Sequence, residues 1–227
     1  MITSSVKDSL EDRYDEGNFV EVLEEPYHKP FIRNSRVNVF IAKLPRNSVT
    51  MYHRHRQNTI YTVIVGSCCK SQVYGSNSCA QEYVSGDCFS GEYRNNPLIH
   101  RVECLNESLT DAWFVGIEVL QEKSFFPLDN NLEYDKYTPI AKVNLVGCRA
   151  YRLKLNANET SGDHLFEFSG IFISLTNGQL KINSKHDFPL SSGHIDMGHV
   201  FWFDGPVQFQ LQNVSSELYE AILILFS

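Results

Sequence analysis

The stretch Tyr52-His-Arg-His-Arg-Gln-Asn-Thr-Ile-Tyr-Thr-Val-Ile-Val-Gly66 decides how the rest of the chain is interpreted. Its second part, Thr59 to Val65, is rich in β-branched and aromatic residues and ends at a glycine, as a buried strand does. His53 and His55 are two residues apart, so on a strand both imidazoles project from the same face. Two imidazoles on one face are well placed to bind one transition metal. The stretch therefore predicts β-structure that carries a metal site.

The interior behind these histidines is predicted from the same alternation. If their register continues, five residues face the same side of the sheet: Gln57, Thr59, Tyr61, Val63 and Val65. A third imidazole is available at His100, in the segment PLIHRVECLN. Three histidine ligands that leave positions open to water or substrate are typical of a catalytic metal site. Gln57 and Tyr61 are then candidate hydrogen-bonding groups beside a bound molecule.

Two other interpretations of the histidines stay open. Because Arg54 and Arg56 flank them, His53 and His55 are also compatible with an exposed, basic turn. Alternatively, the pocket binds an organic molecule without a metal. An inward aromatic residue such as Tyr61 is more often core than substrate contact.

The rest of the chain is also predicted to be mainly β. Alternation at Val37, Val39 and Ile41 and the apolar segment 111–119 indicate strands, and Gly75-Ser-Asn-Ser78 indicates a hairpin turn. Asn177-Gly178 predicts a hairpin between two later strands. A short helix over residues 5–14 is the one helical expectation. Further strands are predicted at 150–155, 171–175, 179–182, 200–203, 207–212 and 219–226.

A pair of glycine turns suggests an internal duplication. Gly178 follows Gly66 by 112 residues, and Gly198 follows Gly86 by the same 112 residues. Glycine turns that recur at the same offset in two halves favour duplicated β domains, even though the halves share few identical residues. The expected division is an acidic N-terminal arm (1–30), a first, metal-bearing domain (31–122), a connector (123–145) and a second, degenerate domain (146–227).

These motifs resemble the cupin superfamily, over about residues 31–120. The spacing of the family motif G-x5-H-x-H-x3,4-E-x6-G is kept by His53-x-His55-x3-Thr59-x6-Gly66. The resemblance implies a double-stranded β-helix, or jelly-roll, barrel whose inward histidines bind a divalent metal, commonly iron, manganese, zinc or nickel. The duplication makes the chain similar to two-domain cupins, called bicupins. The second family motif, G-x5-P-x-G-x2-H-x3-N, is approximated with insertions by Gly86, Pro97, His100 and Asn106.

The chain departs from the family at its glutamate ligand. Thr59 occupies that position, and a threonine hydroxyl is a poor ligand for these metals. A three-histidine site resembles that of cysteine-dioxygenase-like thiol dioxygenases, where neutral ligands leave iron open to substrate and oxygen. The resemblance thus implies a mononuclear iron site that oxidises a small molecule with oxygen. A non-catalytic ligand-binding or sensor protein is an alternative, as is a sugar-phosphate isomerase using Arg54, Arg56 and Arg94.

The second domain is expected to have lost its site. Its family spacing places Phe209 where a histidine belongs. The 112-residue offset puts Leu165 and Glu167 opposite the paired histidines, whereas a gap of one residue aligns His164 with His53. The other histidines have no ligand spacing and are expected on the surface or in loops: His28, His186, His194 and His199.

Composition excludes several partners. A net charge of −7 with 20 Lys and Arg argues against nucleic acid, which requires a concentrated basic surface. No apolar run approaches the roughly 20 residues of a spanning helix, and the acidic start lacks a signal sequence. A cytoplasmic protein with a small-molecule ligand is expected, with pairing of strand edges favouring a homodimer. The six cysteines are expected to be small buried hydrophobes rather than disulfides.

Overall fold

The computed structural model describes residues 19–105, 107–121, 136–184 and 190–227. In this part of the chain nearly all regular structure is strand, and a single turn of 3-10 helix spans Val22–Glu24. The predicted all-β class is therefore confirmed. No helix in the described ranges is long and apolar enough to cross a membrane. The helix predicted over residues 5–14 lies outside them.

The first half of the chain forms two facing sheets. One has the strand order β1-β5-β10-β7-β8, with β4 also paired to β10, and the other has the order β2-β3-β11-β6-β9. The strands are β1 (Val20–Glu21), β2 (His28–Arg33), β3 (Val37–Leu44), β4 (Ser48–Val49), β5 (His53–His55), β6 (Thr59–Val65), β7 (Ser67–Val73), β8 (Ser78–Tyr83), β9 (Cys88–Gly91), β10 (Leu98–Cys104) and β11 (Ala112–Val119).

The second half repeats this arrangement. Its sheets have the orders β12-β13-β20-β15-β18 and β14-β19-β16-β17, which match β2-β3-β11-β6-β9 and β5-β10-β7-β8 strand by strand. The tandem-barrel prediction is confirmed by this repeated topology. The strands are β12 (Tyr137–Pro139), β13 (Cys148–Leu155), β14 (His164–Phe166), β15 (Ser169–Ser174), β16 (Gly178–Ser184), β17 (Gly193–Ile195), β18 (Val200–Phe203), β19 (Val207–Asn213) and β20 (Tyr219–Phe226).

The two barrels share a large apolar core. Within β3, Phe40 belongs to the interior of the first barrel, whereas Val39 joins a cluster that spans both halves. In the second half Ile171 and Ile222 belong to that same cluster, and all three aliphatic side chains are fully buried. Burial of one such side chain contributes about 1.5–3 kcal/mol. The sheets containing β3 and β13 therefore join the barrels through their outer faces.

The predicted N-terminal arm differs from the structure in its last part. Residues 20–30 contribute β1, which pairs with β5, and the start of β2, which pairs with β3. The acidic side chains there are not all solvated, because Glu21 pairs with Arg54 and Glu25 is buried against His28. Within the predicted connector, Tyr137–Pro139 pairs with β13. The full domain division stays a prediction.

The hairpin predicted at Asn177-Gly178 is wrong. The strands on either side, β15 and β16, lie in different sheets, so the turn carries the chain across the sandwich instead of between paired neighbours. By contrast, Gly86 and Gly198 have positive φ angles of 86° and 77° and precede the equivalent strands β9 and β18. Only glycine adopts this conformation without strain, which explains why these turns recur.

Among the cysteines, Cys69, Cys88, Cys104 and Cys148 are buried, as predicted. Cys79 is exposed and Cys68 is half-buried, so the expectation is wrong for Cys79. None of the six, all of which lie in the described ranges, forms a disulfide.

Candidate metal centre

Three histidines meet inside the first barrel. His53 and His55 lie on β5, and His100 lies directly opposite His53 in the antiparallel pairing of β5 with β10. One ring nitrogen of each lies within 4.8 Å of the others. His53 and His55 are almost fully buried, which rules out the exposed-turn interpretation. The structure thus brings together the three histidines that the sequence analysis names as candidate metal ligands.

The nitrogen atoms at the centre of this cluster are available to a metal. His53 Nδ1 donates to the Met51 carbonyl at 2.9 Å, so its lone pair is on Nε2. That Nε2 is buried and has no hydrogen-bond partner. The Nε2 atoms of His55 and His100 are 3.1 Å apart. Two nitrogens each about 2.1 Å from one metal lie about 3.0–3.4 Å apart, between right-angle and tetrahedral geometry. The cluster therefore fits a metal ion.

Hydroxyl groups contact the other nitrogens of the remaining two rings. Tyr61 Oη lies 3.2 Å from His55 Nδ1, and Ser71 Oγ lies 3.2 Å from His100 Nδ1. With Nε2 as the ligand atom, each Nδ1–H donates to the neighbouring hydroxyl oxygen. Such partners fix the tautomer and the orientation of a metal-binding imidazole.

The site keeps its histidines neutral. Burial is the main cause that lowers the pKa of all three, and the neighbouring histidines lower the pKa of His53 and His55 further. The pKa of His100 falls to about 4. Neutral imidazole is the form that binds metals. Burial also raises the pKa of Tyr61 well above its ordinary value, so its hydroxyl keeps its proton.

A cavity of about 260 Å³ opens beside the histidines. Its wall is dominated by apolar and aromatic side chains, and the described residues that line it include no Asp, Glu, Lys or Arg. The aromatic residues of the wall are Phe40, Tyr61, Tyr83, Phe89, Tyr93 and Phe114. This surface suits a small, uncharged molecule.

Thr59 supplies no ligand. It is fully buried, its Oγ1 donates to the Gln57 carbonyl at 2.9 Å, and it does not line the cavity. The position that the cupin motif gives to glutamate is therefore used for a local turn. Since no carboxylate lines the cavity within the described ranges, the groups there that could bind a metal are neutral.

The structure does not bring Gln57 into the cavity. Its Oε1 accepts from Arg94 at 3.1 and 3.3 Å, and Arg94 also donates to the carbonyl of Val119. Arg54 and Arg56 both pair with Glu21. None of these arginines lines the cavity, which weakens the phosphate-binding alternative.

His28 and Glu25 lie beside the site, although the sequence analysis places His28 on the surface. His28 is 7% exposed, lines the cavity and packs on His53 with 4.6 Å between ring centroids. Glu25 is 2% exposed and bonds to His28 Nδ1 at 2.6 Å. The available signal was the Glu25-x-x-His28 spacing, which a turn closes through the bond from His28 N to Glu25 O.

The second barrel has aromatic residues in the equivalent places. His164 stands opposite Phe209 in the pairing of β14 with β19, as His53 stands opposite His100. The one-residue gap is therefore the correct alignment, and Leu165 is exposed. Phe166 takes the place of His55 and stacks on Phe209 at 4.6 Å. His194 and His199 are exposed, as expected, and His186 lies outside the described residues.

Comparisons with known proteins identify the fold. No protein-family model and no curated sequence matches the chain. Among solved structures, AerE from Microcystis aeruginosa superposes with a TM-score of 0.59 at 14% identity, covering 89% of this chain and 98% of AerE. A cupin 2 conserved barrel domain protein from Leptotrichia buccalis gives a TM-score of 0.54 at 11% identity, with 88% of each chain covered. The chain has a cupin fold.

A third similar structure comes from a named enzyme. A point mutant of salicylate 1,2-dioxygenase from Pseudoaminobacter salicylatoxidans, in a complex with gentisate, gives a TM-score of 0.57 at 12% identity. The match covers 85% of this chain and 69% of that enzyme. At such low identities the comparisons establish a shared cupin fold, and the chemistry has to be argued from the site.

Proposed function

We propose that this protein is a bicupin that binds one divalent transition metal through His53, His55 and His100 in its first barrel. The observation that carries the proposal is the buried His53 Nε2, which has no hydrogen-bond partner and faces the other two imidazoles. A buried nitrogen without a partner costs free energy unless something binds it. The second barrel, with Phe166 and Phe209 in place of two ligands, holds no metal in this proposal.

We further propose oxygen-dependent oxidation of a small molecule, with iron as the metal. The support is the neutral ligand set and a fold shared with a named dioxygenase. Iron held this way would supply activation of oxygen and open positions for a substrate. Manganese, zinc and nickel are the other metals that these ligands suit.

The chain's own residues provide the setting for such a reaction. The aromatic wall excludes water and gives a bound molecule apolar contacts. Tyr61 accepts from His55 Nδ1–H, and its hydroxyl also interacts with that of Tyr93, so it orients a ligand imidazole. Ser71 does the same for His100. The proposed role of Tyr61 is to fix the orientation of the His55 imidazole.

Metal analysis of matched variants tests the proposal. Purified chain loaded anaerobically with iron(II) is expected to hold one metal per chain, and His53→Ala is expected to hold none. His164→Ala, the matched change in the second barrel, is expected to keep one. A wild-type chain without stoichiometric metal, or equal metal in both variants, would overturn the metal site. Oxygen consumption by the loaded protein with small neutral substrates tests the oxidation, and metal binding without any consumption would limit the function to binding.

A further inference from the structure

The pair formed by Glu25 and His28 is held rigidly at the cavity wall. The Glu25 carboxylate accepts from His28 Nδ1 at 2.6 Å, from the amide of Tyr27 at 2.7 Å and from the amide of Met51 at 3.2 Å. Hydrogen bonds to a buried carboxylate are stronger than neutral ones. They also compensate for removing its charge from water.

This network reaches the metal centre by a second path. The amide of Met51 donates to Glu25, and the carbonyl of Met51 accepts from His53 Nδ1 at 2.9 Å. His28 itself packs on His53 and lines the cavity. Glu25 thus fixes both the ring of His28 and the backbone segment that orients a ligand.

The tautomer of His28 follows from its partner. A carboxylate only accepts, so the Nδ1 of His28 carries a proton and Nε2 is the ring nitrogen left for a bound molecule. The Nδ1 of His28 is hydrogen-bonded to Glu25, and His28 lines the cavity. In the second barrel the equivalent residue is Tyr137, which stands opposite Leu153 as His28 stands opposite Ala42.

We infer that His28 is a polar contact in the cavity for a neutral small molecule that carries a hydroxyl group. Its Nε2 forms a hydrogen bond with that hydroxyl, and Glu25 is a positioning residue that acts through His28. The inference rests on the proposed function in taking this cavity as the substrate site. It adds a specific hydrogen bond to a wall that is mainly apolar and aromatic.

Two probes of nearly equal shape test the inference in the metal-free, full-length chain. Phenol carries a hydroxyl where toluene carries a methyl group. In His28→Phe, which keeps an aromatic ring, phenol binding by calorimetry is expected to weaken about 5-fold relative to toluene. Glu25→Gln leaves too few acceptors for the three N–H donors, so it is expected to reduce the same phenol preference. His194→Phe, on an exposed strand of the second barrel, is the control and keeps the wild-type ratio.

The ratio separates recognition from structural damage. A variant that merely loosens the fold weakens both probes, whereas loss of the hydroxyl contact weakens phenol alone. If His28→Phe does not fold, His28→Leu takes its place. An unchanged ratio in the His28 variant, or no binding of phenol by the wild type, would overturn the inference. After iron(II) loading in a separate experiment, the same variants are expected to hold one metal per chain, so failure of the metal site is scored independently.

Discussion

The two barrels have the same strand order and register, but the interior of the first contains a cavity and that of the second is filled by side chains. Along β3 the first barrel places Ala42 where β13 of the second places Leu153, and along β11 it places Gly116 where β20 places Leu223. The ring of Phe40 lies against Gly116, at a place where a larger side chain would collide with it. Gly116 thus makes room for the ring of Phe40, and Ala42 lines the cavity of about 260 Å³.

The polar groups of the first barrel are replaced in the same systematic way. His55, His100, Tyr61 and Ser71 correspond to four apolar residues of the second barrel. These are Phe166, Phe209, Phe172 and Ile182. The comparison shows that one topology supports either a polar cavity or a packed core, and that a few inward positions decide which is formed.

The first prediction concerns a variant whose first barrel carries two residues of the second. In the double variant His55→Phe/His100→Phe, two ligand nitrogens are replaced by the rings found at the equivalent places. We expect bound iron to fall from one per chain to less than a tenth, measured by elemental analysis after loading. The metal-free variant should be at least as stable as wild type, because buried polar atoms are removed.

His194→Phe serves as the matched control, since that imidazole is largely exposed and has no other histidine at the spacing of a metal site. Retention of stoichiometric metal by the double variant would mean that the comparison misplaces the site.

Much of this comparison was predictable from the sequence. Strands β6, β18 and β20 were predicted with the bounds observed. Apolar runs rich in β-branched or aromatic residues carry a strong signal for strands. The spacing and the family resemblance predicted that His53, His55 and His100 lie together, as they do, while their role as metal ligands stays a prediction. Phe209 was identified as the replacement for a histidine in the second half.

Other features depend on contacts that no local pattern specifies. His28 joins the site only because β2 pairs with β3 at Ala42, and an acidic stretch gives no indication that Glu25 is buried. Gln57 follows the alternation of β5, but the bend between β5 and β6 turns it toward Arg94. The hairpin signal at Asn177-Gly178 describes a turn correctly without specifying which strands it joins.

The second prediction concerns packing. Phe209 is fully buried and stacks on Phe166, so Phe209→Ala should lower the free energy of unfolding by about 3–5 kcal/mol. Phe114→Ala, in the cavity wall of the first barrel, should cost less, about 1–2 kcal/mol, because that ring is half-buried and borders existing space. Denaturant unfolding of both variants measures the difference. Equal losses would mean that the two interiors are packed alike.

The third prediction uses the pH dependence of stability in the metal-free protein. Burial lowers the pKa values of His53, His55 and His100, the last to about 4, whereas unfolded histidine titrates near 6.5. Between these values the unfolded state binds more protons, so the free energy of unfolding falls as the pH decreases from about 6.5 to 4. The slope is about 1 kcal/mol per pH unit for each histidine.

His164 of the second barrel contributes in the same direction, because burial also lowers its pKa. The double variant His55→Phe/His100→Phe should therefore keep part of the slope and lose the contribution of two sites. Denaturant titrations at pH 4.5, 5.5 and 6.5 test this, and identical slopes in the two proteins would contradict it.

The smallest expected effect comes from a single hydroxyl. Tyr61 stacks on Phe89 with ring centroids 5.4 Å apart, and the equivalent Phe172 stacks on Phe201 at 5.1 Å. Tyr61→Phe therefore reproduces a ring pair that the second barrel already accommodates, and it removes only the oxygen that lies 3.2 Å from His55 Nδ1. Since such partners tune metal affinity by 10–100-fold, we expect iron affinity to fall about 10-fold with the fold unchanged.

Competition with a chelator measures this loss, and Tyr83→Phe, which removes a hydroxyl elsewhere on the cavity wall, should leave the affinity unchanged. Equal affinities in wild type and Tyr61→Phe would show that the hydroxyl does not orient His55. The difference between the two stacked pairs would then lie in packing alone.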